Sequence, residues 1–291
     1  MNTKTNISRA EFDYPLVFLK ENTTKSSKTL DKSSFIRNIS GHIHSFEPVS
    51  LSDIGNATLL ERKERKYLLT EEQAEKILKD LTDYYLVLEI ENSRIGGYET
   101  LYFDTRDYGM YLQHHNGKTN RFKVRSRHYE SSNQNYFEIK EKTNKGRSMK
   151  TRLPTQCLVT TIEPELDAFL DSHFPYDASE FIPQILNTYQ RITLVSRGMN
   201  ERVTMDFNLG FMHKNKQITL PGVVIIEVKT GDNENQSPVQ DLLSYMRIHS
   251  TSFSKYCIGI SLLCPEVKHN RFIPKIRWLS EVVSNHQEII V

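Results

Sequence analysis

The stretch RFKVRSRHYESSNQNYFEIKEK, residues 121–142, decides how the chain is read. In an extended strand alternate side chains share a face. Arg121, Lys123, Arg125 and Arg127 fall on one face, and Phe122 and Val124 on the other. After a polar turn at 131–135 the pattern resumes, with Tyr136, Glu138, Lys140 and Lys142 on one face and Phe137 and Ile139 on the other. The spacing predicts a hairpin with one apolar face and one densely charged face. Like charges in a row along a strand repel each other. Such a row is kept where something anionic, multivalent and elongated lies against it.

A chain of 291 residues holds one large domain or two ordinary ones. With 37% hydrophobic and 25% charged residues it can bury a sizeable core. The net charge is only +2, so global charge selects no partner and any basic site is a local concentration. Cys157, Cys257 and Cys264 lack metal-type spacing, and the last two lie in or beside apolar, strand-like sequence. They read as buried, reduced thiols, which favours a reducing compartment. No apolar run approaches the roughly 18 residues of a membrane span. Residues 1–30 are polar and interrupted by charge, unlike the apolar core of a signal peptide. The expectation is a soluble, cytoplasmic protein.

Residues 1–45, rich at first in Ser, Thr, Asn and Lys, read as a loosely ordered leader, and 46–291 as one domain that opens with a short helix at 46–55. Arg62, Glu64 and Lys66 share a face of a strand at 62–69. Thr70 and Gln73 have capping-box spacing ahead of an apolar stripe, Ala74, Ile77, Leu78 and Leu81. Further strands are expected at 86–90, 98–105, 149–153, 188–195, 202–209, 223–229 and 253–263. Helices are expected at 163–173, after Ser237-Pro238, and at 273–284. His114 and His115 read as surface residues of a turn, HHNGK. The strands repeat one theme. Tyr189, Arg191 and Thr193 share a face, as do Arg202, Thr204 and Asp206, and Glu227 with Lys229, while apolar residues alternate with them. An open sheet can show a charged face to water. The density of Arg, Lys, Glu and Tyr here fits an α+β fold better: a closed antiparallel β-barrel with a charged tunnel and helices packed outside.

Nine motifs run in order: R-x-E-x-K-Y at 62–67, YFDT at 102–105, K-x-R-x-R at 123–127, FEIK at 137–140, MKTR at 149–152, YQR at 189–191, ERVTMDFN at 201–208, IIEVKT at 225–230 and FSKY at 253–256. Over about residues 46–263 the chain resembles the VTC domain, the polyphosphate polymerase branch of the triphosphate tunnel metalloenzyme (CYTH-like) superfamily. The resemblance implies a tunnel of about eight strands. It also implies synthesis of inorganic polyphosphate from ATP, with release of ADP and a requirement for Mn²⁺ or Mg²⁺. Carried over motif by motif, the substrate set is Lys66, Arg125, Arg127, Lys140, Lys150, Arg191, Arg202 and Lys255, with Arg152 and Lys229 as accessory members and Tyr189 and Ser254 adding hydroxyls. Lys140, Arg191, Arg202 and Glu227 are expected nearest the chemistry. Phosphoryl transfer asks mainly for positioning and charge stabilisation, and the planar fork of Arg suits phosphate. Any one of these cations alone would read as a solvated surface charge. Glu227 is the expected metal ligand, a hard oxygen donor, with Glu64 and Glu138 as further candidates. Glu64, Glu138 and Asp206 read equally well as salt-bridge partners that hold the cations in place.

Hydrolytic members of the superfamily begin E-x-E-x-K, whereas here Arg62 stands in the first carboxylate position. That weakens a second metal site able to activate water, and favours transfer to a phosphate acceptor. A tunnel-type triphosphatase and a non-catalytic polyphosphate-binding module are the alternatives. No P-loop or dinucleotide fingerprint is present. Nucleic acid is not an expected partner, because no aromatic platform is read on the basic face and net charge is near neutral. The resemblance to fungal members, which act in membrane complexes, also implies a membrane-protein partner for product export, and through it a place at the inner face of a membrane.

Overall fold

The computed structural model describes residues 34–55, 62–144, 148–231 and 237–289. The hairpin forms as β5 (Arg121–Tyr129) and β6 (Gln134–Lys142), with Arg125 opposite Glu138 and Lys123 opposite Lys140. A 3₁₀ turn, Glu130–Ser132, joins them and ends on Asn133 at φ 47°, a left-handed conformation that Asn tolerates.

The other strands are β1 (Pro48–Val49), β2 (Arg62–Thr70), β3 (Tyr85–Leu88), β4 (Gly96–Asp104), β7 (Ser148–Thr155), β8 (Ile182–Ser196), β9 (Glu201–His213), β10 (Lys216–Leu220) and β11 (Val223–Gly231). One sheet runs β2-β11-β9-β8-β4-β5-β6-β7 and is antiparallel throughout. β10 adds to β9 and β3 to β8, while β1 pairs with β3 in parallel.

β2 and β6 lie six strands apart along this path, a distance of roughly 29 Å in a flat sheet. Yet Glu64 of β2 and Lys140 of β6 form an ion pair at 3.6 Å. The sheet has therefore rolled until its β2 end comes within side-chain reach of β6, next to its other end. The roll is not a closed barrel, because no ladder joins β7 to β2 among the described residues. The closed barrel expected from the sequence is corrected in this respect. The edge strand β2 reaches β6 through a side-chain ion pair, not through backbone hydrogen bonds.

Alternation decides what each side of the roll does. Tyr67, Leu69, Ile192, Leu194, Val203, Met205, Phe207, Ile226 and Val228 point outward and are buried. They are covered by α1 (Ser34–Ser45), α3 (Glu71–Asp80) and α6 (Pro238–Tyr245) through Ile39, Ile43, Ile77, Leu78, Val239 and Leu243. The capping box of α3 forms as read: Thr70 Oγ1 accepts from the Gln73 N–H at 3.2 Å, and Gln73 Oε1 from the Thr70 N–H at 3.0 Å. A second outer core joins Leu101, Phe103, Val124, Phe137 and Ile139 to α5 (Pro164–His173). The ordered part begins earlier than expected: α1 lies within the span read as a leader, and its Phe35 packs edge-on against Phe207 at 5.1 Å. Residues 1–33 lie outside the described residues. The short helix expected at 46–55 is β1 followed by a single turn, α2 (Leu51–Gly55).

The largest departure is at 253–263. The expected strand is α7 (Lys255–Leu263). Its run of apolar residues carries no alternation, and a run of that kind does not distinguish strand from helix. α7 lies inside the roll. Tyr256, Ile258 and Ile260 are buried with the inward-facing Tyr102, Ile185 and Ile225, and α8 (Ile273–Ile289) packs on the same cluster through Leu279 and Val282. A Cβ on Gly259 would stand 2.5 Å from Ile185 Cδ1 and 2.6 Å from Phe211 Cδ1, so only glycine lets the helix come this close to β8 and β9.

The stretch around His114 and His115 is also a helix, α4 (Gly109–His115). Buried Asp104 accepts the backbone N–H groups of Met110 and Tyr111, each at 2.9 Å, and anchors its start. His115 is buried against Tyr111 and Phe272, not on the surface as expected. Cys257 and Cys264 are buried, Cys157 is exposed, and all three are free thiols. Among the described residues no helix is long and apolar enough to cross a membrane.

Candidate functional site

Strand register gathers the charged residues on the concave face. Lys66 lies opposite Glu227, Glu227 opposite Thr204, and Lys229 opposite both Glu64 and Arg202. Arg191 lies opposite Asp206, Arg125 opposite Glu138, and Glu138 opposite Arg152, with Lys140 opposite Lys150. Ser254 and Lys255 join from the N-terminus of α7, which aims into the roll.

Four carboxylates on this face each hold more than one cation. Lys66 Nζ donates to both Glu64 and Glu227, and Glu227 is also ion-paired with Lys229. Burial by itself would raise the Glu227 carboxyl, but Lys229, Lys66 and Arg191 outweigh it and hold the group well below the usual carboxylate range. Glu64 shares Lys66 with Glu227 and reaches Lys140. Glu138, with no exposed side-chain surface, accepts from Arg125 Nε at 2.8 Å and from Lys150 Nζ at 3.1 Å. Burial works against its charge, yet Arg125, Arg127 and Lys150 bring its pKa down to about 2. Asp206 takes Arg191 as a two-pronged fork, Nε at 2.5 Å and Nη2 at 2.8 Å, and also pairs with Lys255. It too is held at about 2 by Arg191 and Lys255 against the effect of burial. The salt-bridge reading of Glu138 and Asp206 is the one the geometry displays.

The cations outnumber these carboxylates. Arg127 is buried, donating to Thr100 Oγ1 at 3.1 Å. Arg152 lies 4.4 Å over the ring of Tyr136 near the sheet edge. Burial lowers the lysine pKa values of Lys140, Lys229 and Lys255 in spite of their carboxylate neighbours. The Tyr189 hydroxyl and Thr204 Oγ1 are buried and have no hydrogen-bond partner among the described residues. These two hydroxyls face the cation-rich groove as hydrogen-bonding groups open to water or a ligand.

Lys123 belongs to this set although the motif carry-over passed it by. Its Nζ donates to Ser254 Oγ at 2.8 Å, and no carboxylate lies within ion-pair distance of it among the described residues. Burial first, then the like charges of Lys140 and Lys66, lower its pKa. The alternation of 121–127 already placed it on the charged face. Tyr102 was equally overlooked. Burial would raise its hydroxyl, but Arg125, Arg127 and Lys123 bring it down to about 8.

The concave face also carries an aromatic row that the sequence reading did not find. Tyr98 stacks on Tyr189 with centroids 5.0 Å apart, and meets Tyr129 edge-on at 5.2 Å. Tyr129 meets Tyr136 edge-on at 5.9 Å. Arginines interleave: Arg191 lies 5.0 Å from the Tyr98 centroid and Arg127 5.8 Å from that of Tyr129. These tyrosines come from four different strands, so no single stretch of sequence reveals the row. The premise that the basic face lacks aromatic platforms is corrected.

The divalent cation implied by the resemblance can be tested against the donors. Among the described residues no group of three or more His, Cys, Asp or Glu side chains could hold a metal ion. Glu64 and Glu227, both bonded to one ammonium, are two hard oxygen donors side by side. That pair fits Mg²⁺ or Mn²⁺, which take one or two carboxylates and complete their shell with water and phosphate oxygens. Cations hold both oxygens of each of these carboxylates, Lys66 and Lys140 on Glu64, Lys66 and Lys229 on Glu227, and Arg125 and Lys150 on Glu138, so a metal ion would take the place of a lysine such as Lys66.

A comparison with curated proteins finds no match to the chain. Among solved structures, the Hippeastrum protein HpAC1, described as having a dominant triphosphatase activity, is 17% identical, covers 72% of this chain and 100% of its own, and superposes with a TM-score of 0.41. The PH1819 protein of Pyrococcus horikoshii OT3 is 13% identical, with 69% and 98% covered and a TM-score of 0.40. Likenesses this distant say nothing of what the chain acts on. The VTC domain family model, in contrast, matches residues 61–264, a span that takes in every candidate site residue from Glu64 to Lys255. The chain belongs to the VTC domain family.

Proposed function

We propose that the chain is a polyphosphate polymerase that moves the γ-phosphoryl group of ATP onto a growing polyphosphate chain within the roll. The observation that carries this reading is the crowding of Lys66, Lys123, Arg125, Arg127, Arg191 and Lys255 on one concave face, in excess of the four carboxylates that share it, with the Tyr189 hydroxyl between them. A polyphosphate is a linear anion with oxygens on every side, and it would satisfy cations that reach it from several strands at once.

In the reaction the bond between the γ-phosphorus and the bridging oxygen breaks, leaving ADP, and a terminal phosphate oxygen of the chain forms the new bond. That oxygen is already ionised, so no general base is required. Arg191, fixed by the Asp206 fork, and Lys255 would orient the transferring group. Arg125 and Lys150, fixed by Glu138, would hold the chain on the opposite wall. Lys140 and Lys66 would bridge the two walls. A divalent cation on Glu227 and Glu64 would neutralise phosphate oxygens when bound. Charge spread over the equatorial oxygens would then be met by donors that need no rearrangement. Product export through a membrane-protein partner is part of this reading. It predicts the protein in the membrane fraction of its own cells, and a wholly soluble distribution counts against it.

A second reading, a tunnel triphosphatase, is favoured by α7, which fills one end of the concave face and suits a short substrate. One assay separates the two. Purified protein is incubated with ATP and Mn²⁺ and the product run on a gel. A ladder of long phosphate chains together with ADP is expected from wild type and not from Lys140→Ala or Glu227→Ala. ADP and free phosphate without chains refute the polymerase.

A further inference from the structure

We propose that the phosphate groove runs on into a second anion site at the open end of the β5–β6 hairpin, where Arg121, Lys142 and Arg271 hold the outlying phosphates of a polyphosphate chain too long for the groove. This rests on the polymerase reading and adds to it the place where a lengthening chain leaves the roll. The hairpin is charged differently along its length. Near its middle Arg125 lies opposite Glu138 and is bonded to it. Toward the open end the cross-strand partners are Lys123 with Lys140 and Arg121 with Lys142. Like charges directly opposite on neighbouring strands destabilise a sheet, and here two such pairs follow in succession. Lys140 reaches Glu64. Arg121, Lys123 and Lys142 have no carboxylate at ion-pair distance among the described residues; Arg121 donates to the Lys118 carbonyl and Lys123 to Ser254 Oγ, each at 2.8 Å.

Arg271 comes to the same place from a 3₁₀ turn, Asn270–Phe272. Its Nη1 donates at 2.8 Å to the carbonyl of His115, the last residue of α4. The guanidinium passes so close to Gly117 that a Cβ there would stand 2.6 Å from Nη1, and Gly117 has φ 79°, so both the backbone and the arginine call for glycine. An exposed arginine held by one nitrogen presents the rest of its fork to a phosphate. His114, on α4, shows that these side chains converge. Burial first, then the charges of Lys123, Arg121, Lys142 and Arg271, bring its pKa down to about 2. One neutral ring thus has four cations about it, drawn from β5, β6 and the 3₁₀ turn. A short chain seated among Lys66, Lys123 and Arg191 stops before Arg121 and Lys142. A longer one passes Lys123 and Lys140 and meets them, and its oxygens relieve the repulsion between the facing pairs.

The test compares two chain lengths. Binding of inorganic tripolyphosphate and of long-chain inorganic polyphosphate to the full chain is measured by calorimetry over a range of salt concentrations, for wild type and for the double variant Arg121→Gln/Lys142→Gln. Long-chain affinity is expected to fall about tenfold and the slope of its log–log salt dependence to flatten by about 1 to 2, while tripolyphosphate affinity stays within about twofold. Removing two like charges that face each other is expected to leave the urea midpoint unchanged or higher. Lys142→Gln alone, at an exposed position, is read the same way and replaces the double variant if that does not fold. Equal loss for both chain lengths, or no loss for the long chain, overturns the second site and leaves the polymerase reading standing. A single-stranded oligonucleotide of equal charge that binds wild type as tightly as the long chain, and loses as much in the variant, overturns the assignment to polyphosphate. Wild-type protein that binds neither polyphosphate overturns both readings.

Discussion

Replacing Asp206 with Asn trades stability for ligand affinity, and both sides can be worked from the structure. The Asp206 side chain is 3% exposed and accepts from Arg191 twice and from Lys255 once. Its pKa is lowered from an ordinary 3.8 to about 2, so its charge stabilises the fold in full above pH 3.8, and that contribution is lost as pH falls toward 2. A shift of this size corresponds to about 2 kcal/mol at neutral pH. Asn keeps the shape but removes the charge, and its NH2 cannot accept at whichever carboxylate oxygen it replaces, where it faces Arg191 or Lys255. Asp206→Asn is therefore expected to lose about 2 to 3 kcal/mol in urea unfolding at pH 7, and to show a flatter acid limb between pH 4 and pH 2. At the same time Arg191 and Lys255 lose their internal counter-ion. Tripolyphosphate then has less competition, and its affinity is expected to rise about tenfold in calorimetry. A loss of stability below about 1 kcal/mol, or an unchanged acid limb, refutes the energetic assignment. A fall in tripolyphosphate affinity refutes the claim that these cations are held ready for an anion.

Lys123→Met removes a buried ammonium that has no carboxylate partner among the described residues, so stability should hold or rise, while tripolyphosphate affinity drops about tenfold. A loss of stability with unchanged affinity would mean that Lys123 is structural. Gly259→Val drives side-chain atoms into Ile185 and Phe211 and should cost at least about 1 to 3 kcal/mol in urea unfolding, against near-neutrality if α7 can shift away from the sheet. Glu227→Gln should raise the Mn²⁺ concentration needed for half-maximal activity, whereas an unchanged requirement excludes Glu227 as a metal ligand. Burial lowers Lys123, Lys140 and Lys229 from an ordinary 10.5, so tripolyphosphate affinity should decline on the alkaline side before free lysine loses its proton, and a flat profile up to pH 10.5 contradicts that.

Much of this was legible in the sequence because a period of two survives wherever one strand face is charged and the other apolar. The placing of Lys66, Arg125, Glu138, Arg191 and Glu227 on one surface needed only that alternation, together with the motif order. The helix at 71–80 was legible for a similar local reason, its capping box. α7 was not, since a segment buried on all sides has no polar positions to mark its period. The failure to close the barrel is a matter of ladders between residues far apart in sequence, which no local pattern encodes. The aromatic row escaped for the same reason: Tyr98, Tyr129, Tyr136 and Tyr189 are adjacent only after four strands are aligned. Lys123 was different, because the alternation had already placed it on the charged face, and only the motif-by-motif selection of phosphate contacts set it aside.

The pairing of Glu64 with Lys140 makes the width of the roll depend, among the described residues, on a single side-chain contact between β2 and β6. Backbone ladders are largely indifferent to dissolved salt, but this contact, with side chains 29% and 35% exposed, lies within reach of small ions. Concentrated electrolyte is therefore expected to loosen this contact. On the polymerase reading, a polyanion touching both walls would replace Glu64 as the partner of Lys140 and so hold the two walls together itself.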